Sequence, residues 1–127
     1  MERLTAQEEE AMVQIWQHAP CIVRQVLSYY PDPKPPYTTL ASVFKNLERK
    51  GYVESRKTGI VFEYTPLITM RQYQSAFLEQ WVDTYFEGSY KKLLTFMAED
   101  KRLARKEIKE IYKQMDKEGK KSSKDKS

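Results

Sequence analysis

The sequence predicts a mainly α-helical fold with one small β-hairpin: a winged helix-turn-helix followed by a helical dimerisation arm. Three observations carry this expectation. Three short amphipathic helical patterns fill the first fifty residues, and two β-rich runs around a glycine-containing turn follow at once. A long helical pattern with a wide aromatic face lies beyond them. The expected boundaries are 1–67 for the winged module, 68–118 for the arm and 119–127 for a disordered basic tail.

Thr5 with Glu8 three residues later has the spacing of a capping box, and Met12, Ile15, Trp16 and Ala19 follow on one helical face up to Pro20. The second helix carries Val23, Val26, Leu27 and Tyr30 before the stiff turn Pro31-Asp32-Pro33-Lys34-Pro35-Pro36 stops it. Thr38 or Thr39 is expected to cap the third helix. Its buried stripe is Leu40, Val43, Phe44 and Leu47, and Gly51 supplies the left-handed residue past its end. The runs Tyr52–Lys57 and Ile60–Thr65 form the hairpin about Thr58-Gly59, with Pro66 closing it.

Thr69 with Gln72 offers a second capping box. Tyr73, Phe77, Leu78, Trp81, Val82 and Tyr85 then make an apolar face too wide for so small a module to receive, and the expectation is a dimer core. The helix is expected to end at Gly88. A short helix around Leu93, Leu94, Phe96 and Met97 adds Leu94 to that core, and a last helix started by Asp100, with Leu103, Ile108, Ile111, Tyr112 and Met115 inward, adds Ile108 and Ile111.

The charge is unevenly placed. Residues 101–127 carry a balance of +6 and residues 1–100 a balance of −2, yet within the latter residues 34–57 hold a local +4. Cys21 is the single cysteine and His18 the single histidine, so no internal disulfide forms and no cysteine-based metal cage is available. No cofactor or metal is expected; His18 reads as a helix-end residue and Cys21 as a small buried one. The acidic start lacks an apolar leader, and no apolar stretch is long enough for a membrane span, so a cytoplasmic protein without membrane insertion is expected. A Gly-rich phosphate loop, a G-x-S-x-G elbow and an H-E-x-x-H motif are all missing, which argues against an enzyme.

With the apolar stripe of the third helix turned inward, Tyr37, Thr38, Thr39, Ala41, Ser42, Lys45, Asn46 and Arg49 lie on or beside its outer face. Small and polar residues allow a helix deep into a groove about 12 Å wide, where Asn pairs with adenine and Thr or Ala meets a thymine methyl. Arg56, Lys57 and Thr58 are expected at the hairpin tip, in reach of the phosphate backbone. Double-stranded DNA is the partner these residues imply. Two rivals are a regulator whose aromatic arm holds a small molecule, and an interaction module that keeps the fold without binding DNA.

Three stretches also carry a family resemblance: Leu4-Thr5 with its glutamates leading to Ile15-Trp16; Tyr37-Thr38-Thr39-Leu40 leading through Leu47–Val53; and Phe62–Leu67. From about Leu4 to Lys113 the sequence resembles the penicillinase-repressor family of winged-helix regulators. The resemblance implies a homodimeric repressor that binds a palindromic operator through its third helix and dimerises through its C-terminal helices. In β-lactam-responsive members a membrane sensor-protease triggers cleavage within the arm, before a phenylalanine usually preceded by asparagine. The matching position here is Thr95-Phe96, with threonine in place of asparagine. The cysteine cluster of the copper-responsive branch is absent, and Ala41 and Asn46 stand where basic residues are usual.

Overall fold

Thr5 opens the first helix as its spacing foretells: its hydroxyl accepts the Glu8 amide at 3.2 Å, and the Glu8 carboxylate accepts the Thr5 amide at 2.7 Å. In the computed structural model, which describes residues 1–100 and 104–125, this box starts α1 (Ala6–His18). There follow α2 (Val23–Leu27), α3 (Tyr37–Arg49), β1 (Val53–Thr58), β2 (Val61–Pro66), α4 (Met70–Phe86), α5 (Tyr90–Glu99) and α6 (Arg105–Asp125). The chain divides into two compact units, Met1–Phe77 and Leu78–Ser127.

In the first unit the apolar stripes of α1, α2 and α3 meet in one core. Met12, Ile15, Val26, Phe44 and Leu47 lose all contact with solvent. Helix α2 is shorter than its pattern, because after Leu27 the chain tightens into three-residue steps: Tyr29 and Tyr30 donate to the carbonyls of Val26 and Leu27. The Lys34 ammonium donates to the carbonyls of Ser28 and Tyr30, which fastens the proline turn to that helix end.

Neither Thr38 nor Thr39 caps α3. Pro36 is the N-cap and makes no side-chain bond, and the carbonyl of Thr38 accepts the Ser42 hydroxyl inside the helix. Proline needs no partner for a missing N–H, so the chain enters the helix two residues before the nearest threonine would have capped it. The far end follows its pattern: Gly51 takes φ +83°, its amide reaches the Glu48 carbonyl, and the Tyr52 amide reaches the Leu47 carbonyl. This double bond is a Schellman closure, with buried Tyr52 as its apolar anchor.

Strands β1 and β2 pair antiparallel from Val53 opposite Pro66 to Thr58 opposite Val61. The connection is therefore Gly59-Ile60, one residue later than expected, with Gly59 at φ +65°, the sign that a type II′ turn requires at its first position. Cys21 adds a short third edge, exchanging backbone bonds with Tyr64 at 2.7 and 3.1 Å. That pairing buries the Cys21 thiol and pushes its pKa up to about 11. The Tyr64 ring meets Phe44 edge-on at 4.9 Å and locks the hairpin to α3.

The first unit extends past the boundary expected at residue 67. The Trp16 indole N–H donates to the Ile68 carbonyl at 2.8 Å, and Tyr73 packs on Trp16 and Tyr52 with ring centroids 5.7 and 5.9 Å away. Tyr73, expected in the dimer core, is thus committed to its own module. The Thr69–Gln72 capping box that opens α4 is present, with both bonds near 3 Å.

In the second unit Val82, also expected at a dimer contact, is wholly buried within its own chain. The rings of Trp81, Phe86 and Phe96 form a ladder, Trp81–Phe86 at 5.2 Å and Phe86–Phe96 at 5.6 Å. Glu87 and Gly88, both at positive φ, end α4, and Ser89 caps α5 by accepting the Lys92 amide. Asp100 is the C-cap of α5 rather than the start of the last helix. At that start, just before Arg105, the Ala104 amide donates to Glu107. Leu103, expected on the inner face, lies outside the described residues. The backbone of α6 continues through Gly119 to Asp125, where a disordered tail was expected. Extending an existing helix costs little per residue.

Candidate nucleic-acid interface

The burial of Leu40, Val43, Phe44 and Leu47 fixes the rotation of α3. At 100° per residue the crest opposite them is formed by Thr38, Ser42, Lys45 and Arg49, all exposed. Tyr37 and Ala41 sit on the flank that turns toward the hairpin, and Thr39 and Asn46 on the opposite flank. The α3 candidates are therefore brought together on one uncovered side of the helix. Glu48, the one acid of α3, accepts the Ser55 hydroxyl of β1 and is drawn to the hairpin side.

Not all the local positive charge belongs to this surface. The Lys50 ammonium lies 2.6 Å from the Glu8 carboxylate, and it also donates to the Arg3 carbonyl at 3.1 Å. Both side chains of the pair are nearly buried. Burial raises the pKa of Glu8, but the hydrogen bonds from Lys50 and Thr5 outweigh it and leave the carboxyl below its ordinary value. Lys50 thus ties α3 to α1. The cations left exposed on α3 and β1 are Lys45, Arg49, Arg56 and Lys57.

At the hairpin the expected basic tip is displaced. Arg56, Lys57 and Thr58 lie along β1, opposite Glu63, Phe62 and Val61, and the tip itself is Gly59-Ile60. Ile60 is 95% exposed, and Val61 and Phe62 are also open to solvent. Alternation puts Lys57 and Phe62 on the face shared with Tyr64, and Arg56 with Glu63 on the other.

One residue of this region escaped the sequence reading. Arg24, on α2, is exposed and carries its guanidinium 6.0 Å from the Tyr37 ring, beside the start of α3. The signal was a cation on the polar side of the helix that precedes α3, but it lies outside the 34–57 charge cluster. His18 stacks on Tyr29 with ring centroids 4.1 Å apart, which accounts for it at the end of α1.

The candidate cleavage residues lie within α5. The Thr95 hydroxyl donates to the Lys91 carbonyl at 2.8 Å, and half-exposed Phe96 rests on Phe86. No described helix is long and apolar enough to cross a membrane.

A family model described as penicillinase repressor matches residues 4–117. A penicillinase repressor from Bacillus licheniformis is 26% identical over 110 residues, covering 83% of either chain. The crystal structure of the transcriptional regulator SlyA aligns with a TM-score of 0.43 at 15% identity, over 94% of this chain and 76% of that one. The family match runs from residue 4 to residue 117 in α6, well over half of the chain, so the chain belongs to the penicillinase repressor family, a family of transcriptional regulators rather than enzymes.

Proposed function

We propose that this regulator is a cytoplasmic repressor that binds a palindromic operator in double-stranded DNA as a homodimer. Helix α3 enters the major groove and the hairpin follows the adjacent backbone. The observation that carries this reading is the crest of α3, where Thr38, Ser42, Lys45 and Arg49 stand uncovered, without an acid among them, above a fully packed core. On the flanks Ala41 is small enough for close approach, and Asn46 and Thr39 offer groups that read base edges. Tyr37, Arg56, Lys57 and Thr58 supply backbone contacts. The dimer reading is supported by Phe77, Leu78, Tyr85, Leu94 and Ile111, which stay exposed in the single chain; Ile108, half-buried, lies on the same helix as Ile111. Repression then follows from occlusion: two half-sites roughly 34–36 Å apart are held at once, and polymerase is excluded.

Selection from random duplexes, joined to light scattering, tests this. A palindrome should be enriched, and the full chain should have about twice its 15.1 kDa mass. A monomer at micromolar concentration, or enrichment of no palindrome, would refute the reading. A membrane sensor-protease acting at Thr95-Phe96 is a further element of the family pattern, and its test is given below.

A further inference from the structure

Between α2, α3 and the hairpin runs a groove of about 650 Å³. From the side of α2 and α3 it is lined by Arg24, Tyr37, Ala41 and Lys45, while the hairpin side is apolar, led by Ile60 and Phe62. Among the described residues no Asp or Glu lines it, so its two charged groups are both cations. One wall is therefore basic and the other apolar. We propose that this groove is the seat of a single DNA sugar–phosphate strand, with Arg24 as its electrostatic anchor and the apolar hairpin as the surface against which deoxyribose rests. The proposal deepens the DNA-binding reading and rests on it.

The two walls match the two parts of a nucleotide backbone. A phosphate is anionic and demands cations; deoxyribose presents C–H groups and gains from apolar cover. Arg24 suits the first task because its guanidinium is held beside the Tyr37 ring, which limits the freedom lost when it closes on a phosphate oxygen. Lys45 flanks it on the crest side. Ile60 suits the second because a fully solvated β-branched residue at a turn has no packing role within its own chain. A charged tip would have made the hairpin an electrostatic contact. In this groove the cations, Arg24 and Lys45, stand on the helices, and the hairpin's tip presents an apolar edge.

The contact is independent of sequence, so it can be read on a labelled duplex of random sequence at low salt, by anisotropy across a salt series. Arg24→Gln should weaken binding and lower the slope of log affinity against log salt by about 0.9 per protomer, and Arg24→Lys should restore the slope. The double variant Ile60→Ser, Phe62→Ser should weaken binding about tenfold with the slope unchanged, since it removes apolar cover and no charge. Hydroxyl-radical cleavage attacks deoxyribose hydrogens directly. On a selected operator the wild-type protein should protect a short run of sugars on one strand per half-site, and the double variant should expose it again. All three side chains are exposed, so thermal melting should be that of the parent protein. An unchanged salt slope in Arg24→Gln, or unchanged sugar protection in the double variant, would overturn the inference. Failure to enrich a palindrome would instead strike the operator reading, and it leaves the salt-slope measurement on random duplexes intact.

Discussion

The two units of this chain solve the same problem with unequal success. The winged unit hides Met12, Ile15, Val26, Phe44, Leu47 and Tyr52 completely, and Trp16 and Tyr73 seal its rim. In the second unit Val82 is the buried hydrophobic residue among those described, while Tyr85 is 68% exposed and Tyr90, Leu94, Phe96, Ile111, Tyr112 and Met115 are open to solvent. The first unit thus closes a core, and the second leaves an open apolar surface. A domain that can bury its own apolar area folds alone, and one that cannot is completed by association. The arm's exposed rings and aliphatic side chains are the reason to expect a second copy.

The largest effect should come from the closed core. Phe44→Ala removes a fully buried ring that locks β2 to α3, and it should cost about 3–5 kcal/mol in denaturant unfolding. That cost should not depend on protein concentration. Ile111→Asp in the arm should behave in the opposite way, halving the mass seen by light scattering and making melting concentration-dependent in the wild type only. A concentration-independent loss at Ile111 would show that the arm is complete within one chain.

The Glu8–Lys50 pair sharpens the comparison, since it lies in the closed unit and has no counterpart there that water can screen. Lys50→Met should cost about 3 kcal/mol near neutral pH, because it strands a buried carboxylate. The sign of the pH dependence follows from Glu8, whose folded pKa lies below its ordinary 4.5. The wild-type pair contributes stability above that value and loses it as pH falls through the folded pKa. The gap between wild type and Lys50→Met should therefore narrow in acid, as measured by urea titrations at pH 7 and pH 3. A gap that stays constant would mean that the pair contributes packing and not charge.

On DNA the effects are smaller. Asn46→Ala should cost about 1–3 kcal/mol on a selected operator and leave binding to random duplexes and the salt slope unchanged. Lys57→Ala should weaken both kinds of site alike and lower the slope by about one unit per protomer. Equal losses for Asn46→Ala on the two kinds of site would move it to the backbone set. The smallest signal should come from proteolysis. Thr95-Phe96 lies inside α5, with the Thr95 hydroxyl bonded to Lys91 and Phe96 stacked on Phe86, so the bond must be unwound before it is cut. Co-expression with a β-lactam-type sensor should leave the chain intact by mass spectrometry, and a clean cut before Phe96 would show that the arm opens locally.

The helices of the first unit were legible because each is announced by short-range chemistry: Thr5 with Glu8, the apolar spacing of Leu40, Val43, Phe44 and Leu47, and Gly51 past the helix end. The crest of α3 followed from the same spacing, since a helix with one buried stripe has only one opposite side. Arg24 was not legible, because its place depends on how α2 packs against α3, and no local pattern encodes that angle. The role of Lys50 was hidden for the same reason: its partner Glu8 is forty-two residues away.

By itself the sequence determined the order and kind of the helices and strands, and which face of each is apolar. Those properties depend on backbone propensities and on periodicities of 3.6 and 2, which act over a few neighbours. Only the tertiary structure decided how the exposed groups are shared out. It assigned Tyr73 to the winged core and Val82 to the interior of the arm, turned Lys50 inward, and put isoleucine rather than lysine at the hairpin tip. Such assignments depend on long-range contacts and on a one-residue register, and a shift of one residue in a hairpin changes which side chain stands at its end.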